Sequence, residues 1–109
     1  MEDCVFCKII SREITANIVY ESEDVIAFPD LESLAPTHVL IVPKKHIGTV
    51  LDFTKEDRNV ILSLVEAAQK LIQKNKIEGE YRLRFNGGKA QHVPHVHWHL
   101  LGGKPYLIV

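Results

Sequence analysis

The run His95-Val96-His97-Trp98-His99-Leu100-Leu101-Gly102-Gly103 constrains this chain more than any other stretch of it. Histidines alternate with apolar residues at period two, the pattern of a β-strand with one polar and one apolar face. Alternate side chains on one strand face stand roughly 6–7 Å apart. The spacing therefore predicts three imidazoles in a row on one side and Val96, Trp98 and Leu100 packed into a core on the other. A single histidine in such a place is ordinarily structural. Three ionisable, nucleophilic, metal-capable rings on one rigid face are more than folding requires, and they direct attention to chemistry.

The remaining 100 residues set the frame for that strand. A length of 109 residues suits one domain, 1–109, with one hydrophobic core. The hydrophobic fraction of 46% and the charged fraction of 25% are those of a soluble globular protein. With a formal net charge of −1 there is no basic field for a nucleic-acid polymer or an anionic membrane. No apolar run reaches the ~18 residues of a membrane span. Met1-Glu2-Asp3-Cys4 lacks the basic start and apolar run of a signal peptide, so the expected location is the cytoplasm. There, two cysteines point to metal binding or redox work before a disulfide.

Local patterns predict an α+β domain with a mostly antiparallel sheet of about five strands. Apolar residues at 5, 6, 9 and 10 suit a short N-terminal helix with Cys4 and Cys7 on one face. Ile18–Glu21 and Val25–Phe28 read as a hairpin, ended by Pro29 and Asp30. Thr37–Pro43 reads as a strand buried on both faces. Thr54, with an acid three residues on, is a capping-box start for a long helix to about Asn75. Val60, Ile61, Leu64, Val65, Ala68, Leu71 and Ile72 recur along it at helical spacing. Tyr81–Asn86 alternates as a further strand with Tyr81, Leu83 and Phe85 inward, and a glycine-bearing connection, 87–91, leads into the histidine strand. The apolar tail Tyr106-Leu107-Ile108-Val109 is expected to dock on a second subunit or to form a terminal strand.

The motif His95-Val96-His97-Trp98-His99-Leu100-Leu101 resembles the signature of the histidine triad superfamily of nucleotide hydrolases and transferases. Two further stretches share the resemblance: Cys4-Val5-Phe6-Cys7-Lys8-Ile9-Ile10, and Ala35-Pro36-Thr37-His38-Val39-Leu40-Ile41-Val42-Pro43-Lys44-Lys45-His46. The second of these and Leu101-Gly102-Gly103 are similar to the Hint branch, the purine nucleoside phosphoramidases. The resemblance spans essentially the whole chain. It implies a sheet with a long helix, a homodimer built through that helix and a sheet edge, and a site for an AMP- or GMP-type nucleotide.

It also implies roles for single residues. His97 matches the family's nucleophile, and the chemistry is sound: a neutral imidazole is available near pH 7 and attacks phosphorus well. The carbonyl of His95 would hold the other ring proton of His97. His99, on the same strand face, would donate to the phosphate oxygens, with backbone N–H groups of the 87–91 connection as further donors. Asp30 matches the acid that binds the ribose hydroxyls, Phe28 and Leu31 would line the base site, and Asn86 and Gln91 would flank the phosphate. Where the Hint pattern has a serine that helps protonate the leaving group, this chain has His92, which can also give a proton to an amine. The 86–91 connection is shorter than in Hint proteins, and Pro94 removes a backbone donor before the triad. His38 is expected to be structural, as a hydrogen-bond partner in the sheet.

Cys4-x-x-Cys7 alone is a weak metal signal, because zinc wants four ligands. Prokaryotic members similar to this chain carry a structural zinc on residues matching Cys4, Cys7, His46 and His95, and all four are present. A closed four-ligand site is structural, so neither a catalytic metal nor an organic cofactor is expected. Two other readings compete. His95, His97 and His99 would together hold a catalytic zinc or iron that activates water, or the protein would bind nucleotides with little turnover.

Overall fold

The computed structural model describes residues 4–103. Two helices and five strands follow in the order α1 (Val5–Ile10), β1 (Tyr20–Glu21), β2 (Val25–Pro29), β3 (Thr37–Pro43), α2 (Arg58–Lys74), β4 (Tyr81–Arg84) and β5 (Trp98–Gly102). The strands form one sheet in the order β1-β2-β3-β5-β4, every neighbouring pair antiparallel. This is the α+β architecture expected from the patterns.

The two faces of the sheet carry two separate cores. One face holds Val25, Ala27, Val39, Ile41 and Leu100 against Leu64, Ala67, Ala68 and Leu71 of α2. The other holds Ile26, Phe28, Leu40 and Val42 against Phe6 and Ile9 of α1. Six of the seven residues of β3 are buried, because its alternate side chains enter different cores. Antiparallel pairing puts Leu40 opposite His99 and Val39 opposite Leu100. The histidine face of β5 is therefore the α1 face, and its apolar face is the α2 face.

The capping box at Thr54 forms: Thr54 Oγ1 accepts from the Glu56 amide, and Asp57 accepts the Thr54 amide at 2.9 Å. It caps a single 3-10 turn, Lys55–Asp57, and α2 starts one turn later than its periodicity indicates. Asp57 is buried there, paired with Lys45 at 2.7 Å. Beyond α2, Ile77 packs against Gly102 so closely that a Cβ on Gly102 would lie 2.9 Å from Ile77 Cγ2.

Four expectations need correction. The ladder of β5 begins at Trp98, so His95 and His97 precede the strand; the Val96 amide bonds instead to the Ile47 carbonyl at 2.7 Å. Strand β1 is two residues long, and β4 ends at Arg84. Cys4 is not within α1 but caps it, its Sγ accepting from the Cys7 amide. Tyr81, Leu83 and Phe85 are exposed, not inward. They do share the face of Trp98 and Leu100: Leu83 pairs with Leu100, and Phe85 stacks on Trp98 at 6.0 Å. However, α2 packs chiefly over β1, β2 and β3, away from this end of the sheet. The expectation for the tail at 106–109 lies outside the described residues.

Candidate active site

The α1 face of the sheet gathers five imidazoles into two groups joined through His95. His97 stands beside His99, ring centroids 5.0 Å apart, and His99 beside His38 at 5.2 Å. His95 instead turns toward His46, 4.7 Å away. Phe6 of α1 packs edge-on against both His95 and His97, and also against Phe28.

Hydrogen bonds assign a tautomer to His38, His99 and His97. The Leu34 amide donates to His38 Nδ1 at 3.1 Å, so the proton of neutral His38 sits on Nε2. That Nε2–H donates to His99 Nδ1 at 2.9 Å, with an Asp30 carboxylate oxygen 3.4 Å away. His99 must then carry its own proton on Nε2, an atom that is buried and has no partner in the protein. On His97 the assignment is reversed. Its Nδ1–H donates to the His95 carbonyl at 2.8 Å, leaving the Nε2 lone pair free. The site thus offers one nucleophilic nitrogen and, on the neighbouring ring, one N–H donor, neither of which requires a net charge.

Burial keeps these rings neutral. It pushes His99 down to about 4, helped by the nearby His97, Arg84 and His38. Burial also lowers His97, against the pull of the His95 carbonyl and the Asp30 carboxylate, and it lowers His38. A neutral imidazole can act as a nucleophile and an imidazolium cannot, so burial leaves His97 in the form able to attack.

The second group is a Cys/His cluster. Cys4 Sγ lies 3.3 Å from His95 Nδ1, Cys7 Sγ lies 3.2 Å from His46 Nδ1, and the four ligand atoms all fall within 4.8 Å of one another. Tetrahedral zinc with bonds of about 2.0–2.3 Å separates its ligand atoms by roughly 3.6 Å, so the cluster fits such an ion. His95 Nε2–H donates to the Pro43 carbonyl at 2.8 Å, which turns the Nδ1 lone pair toward the sulfurs. Burial and the adjacent Cys4 push the Cys7 thiol up to about 11, and a divalent cation reverses that shift by stabilising the thiolate.

The other expected site residues are distributed around the rings. Phe28 is buried at the end of β2, Asp30 is half-buried and accepts the Glu32 amide, and Leu31 is fully exposed. Asn86 accepts from Arg84 at 3.2 Å. The Gln91 side chain donates to the Gly48 carbonyl at 2.6 Å. The amides of Ala90 and Gln91 close the turn over 87–91, bonding to Gly87 and Gly88. His92 is exposed, yet close enough that its charge would lower His97. His95, His97 and His99 do not converge on one point, since both His95 nitrogens are engaged elsewhere; this removes the geometry needed for a shared catalytic metal. Sequence reasoning missed Phe6 and Arg84. Phe6 looked like one more apolar residue of α1, and Arg84 like the outward half of an alternating strand.

The comparisons with known proteins cover nearly all of this geometry. The family model described as "Scavenger mRNA decapping enzyme C-term binding" matches residues 3–106. A purine nucleoside phosphoramidase of Escherichia coli is 42% identical over 107 residues, 95% of this chain and 90% of that protein. A solved HIT family hydrolase from Clostridium thermocellum superposes with a TM-score of 0.91 at 44% identity, covering 99% of each chain. A HIT family hydrolase from Legionella pneumophila gives a TM-score of 0.90 at 43% identity, covering 94% of this chain and 95% of its own.

The lowered histidines tie stability to pH. In the unfolded chain His99 takes up its proton near the ordinary value of 6.5, and in the folded protein only near about 4. Below pH 6.5 the unfolded state binds more protons, so stability is lost as pH falls toward about 4. Urea midpoints measured between those limits should decline, and His99→Phe should flatten the slope; an unchanged slope would contradict the assignment.

Proposed function

Because the chain belongs to the histidine triad (HIT) family, we propose that it is a nucleotide hydrolase cleaving purine nucleoside phosphoramidates or related nucleotidyl compounds at the α-phosphate. The reaction runs through a covalent nucleotidyl-His97 intermediate and releases AMP or GMP. The observation that carries this reading is the pairing of a free His97 Nε2 lone pair with a neutral His99 N–H donor, each tautomer held by its own hydrogen bond.

In the first step His97 Nε2 bonds to phosphorus and the bond to the leaving amine, alcohol or phosphate breaks. The ring becomes cationic as it is phosphorylated, and the Nδ1–H bond to the His95 carbonyl strengthens in step. His99 Nε2–H faces the charge that builds on a non-bridging oxygen. His92 gives a proton to the departing amine. Water then cleaves the phosphorus–nitrogen bond, its oxygen passing to phosphorus and its released proton returning to His92, and neutral His97 is restored. Asp30 accepts from the ribose hydroxyls, Phe28 and Leu31 contact the base, and Asn86 and Gln91 flank the phosphate. His97→Ala should lower hydrolysis of an adenosine phosphoramidate by at least about 10³-fold while AMP still binds by calorimetry. Retained turnover would exclude the covalent route.

Cys4, Cys7, His46 and His95 hold a structural zinc ion, whose role is to fix His95 and hence the carbonyl that orients His97. The ligand set is closed, so zinc supplies no position for substrate. Protein purified without chelator should contain about one zinc per chain by elemental analysis, and Cys7→Ser should lower both zinc content and melting temperature. A metal-free chain with wild-type stability would rule this out.

The protein is a homodimer. Ile61, Leu62 and Val65 of α2 and Tyr81, Leu83 and Phe85 around edge strand β4 are exposed, an apolar surface of the kind that a second copy covers. Analytical ultracentrifugation should give a mass near twice 12.4 kDa, and Leu83→Asp should shift it toward the monomer. No described helix is long and apolar enough to cross a membrane, and cysteine ligands suit the reducing cytoplasm.

A further inference from the structure

The β4–β5 ladder sets Arg84 directly opposite His99. Residues paired across a ladder project from the same face, so the guanidinium belongs to the histidine face, on the side away from His38. The side chain is half-buried, and its Nε–H lies out of solvent with no hydrogen-bond partner. Its Nη1 donates to Asn86 Oδ1 at 3.2 Å. That bond occupies the amide oxygen and leaves Asn86 to present its NH₂ group as a donor. Among the described residues no carboxylate forms an ion pair with Arg84, whereas Arg12, Lys44 and Lys45 each have one. Both His99 and His38 feel the charge and are harder to protonate for it.

A half-buried cation without a counter-ion is unfavourable, and an arginine cannot relieve the cost by losing its proton. The neighbouring rings are neutral. Arg84 is therefore the permanent positive charge beside His99, and it is equipped with unused donors suited to a phosphate.

We propose that Arg84 sets the charge preference of this site, favouring nucleotides whose phosphoryl end bears two negative charges over those with a single charged, esterified or amidated phosphate. This rests on the nucleotide reading above and refines it. A neutral histidine donor distinguishes weakly between one charge and two, and a fixed guanidinium distinguishes strongly. The AMP dianion should therefore be held more tightly than a monoanionic phosphoramidate, and an anionic phosphate leaving group should be accepted better than a neutral one.

Calorimetry on the full chain at about pH 8, where the second phosphate proton (pKa about 6) is gone, with AMP and its 5′-phosphate methyl ester as probes, tests this. The unaltered protein should bind AMP roughly tenfold or more tighter than the ester, the scale of one charge-assisted hydrogen bond. Arg84→Met should reduce that ratio toward one, chiefly through AMP, and Arg84→Lys should restore part of it. The proposal fails if the ratio is the same in Arg84→Met. It also fails if the unaltered protein binds the two probes equally, a result that does not depend on how the variant folds. Binding of neither probe would remove the nucleotide reading itself, and this proposal with it.

Discussion

The ladder between β3 and β5 is the constraint on which the rest depends. It sets Leu40 against His99 and His38 against Leu101, so imidazoles contributed from positions 61 residues apart meet at hydrogen-bond distance. The same ladder assigns alternate residues of each strand to different cores, one under α1 and one under α2. A slip of one residue would exchange the faces, driving His99 into the α2 core and Leu100 onto the site. Two apolar cores that reject such an exchange therefore hold the register of the histidine face.

Within that register, neutrality is the property the surroundings protect. A chain of bonds from the Leu34 amide through His38 to His99 decides which nitrogen of His99 carries hydrogen. The His95 carbonyl decides the opposite for His97. Two chemically identical rings, 5.0 Å apart, are thereby given complementary roles, one as electron-pair donor and one as hydrogen-bond donor. Burial maintains both roles by keeping protons off at neutral pH.

His95 joins this pair to the Cys/His cluster. Its side chain faces Cys4 and Cys7 while its carbonyl orients His97. Position of the backbone at 95 thus depends on two anchors: the Pro43 carbonyl on one ring nitrogen and the thiol cluster on the other. A ring that looks like one of three equivalents in the sequence belongs to the residue that holds His97, while His99 is held by His38.

Much of this was legible from residues alone. The alternation of β5, the double burial of β3, the capping box at Thr54 and the Cys4-x-x-Cys7 spacing are local signals, whereas His46 and His95 were joined to those cysteines only through the family resemblance. Each local signal is encoded within a few residues by side-chain period or hydrogen-bonding chemistry. The exposed face of Tyr81, Leu83 and Phe85 was not legible, because alternation shows that a face is apolar but not where a helix lies across the sheet. Nor were the tautomers of His38 and His99, or the place of Arg84, since each depends on a neighbour brought in by strand pairing. The sequence by itself determined the order of the strands, which of their faces are apolar, and the reactive groups available. Only the tertiary structure decided which groups touch, because hydrogen-bond partners and burial are properties of long-range register that no local pattern contains.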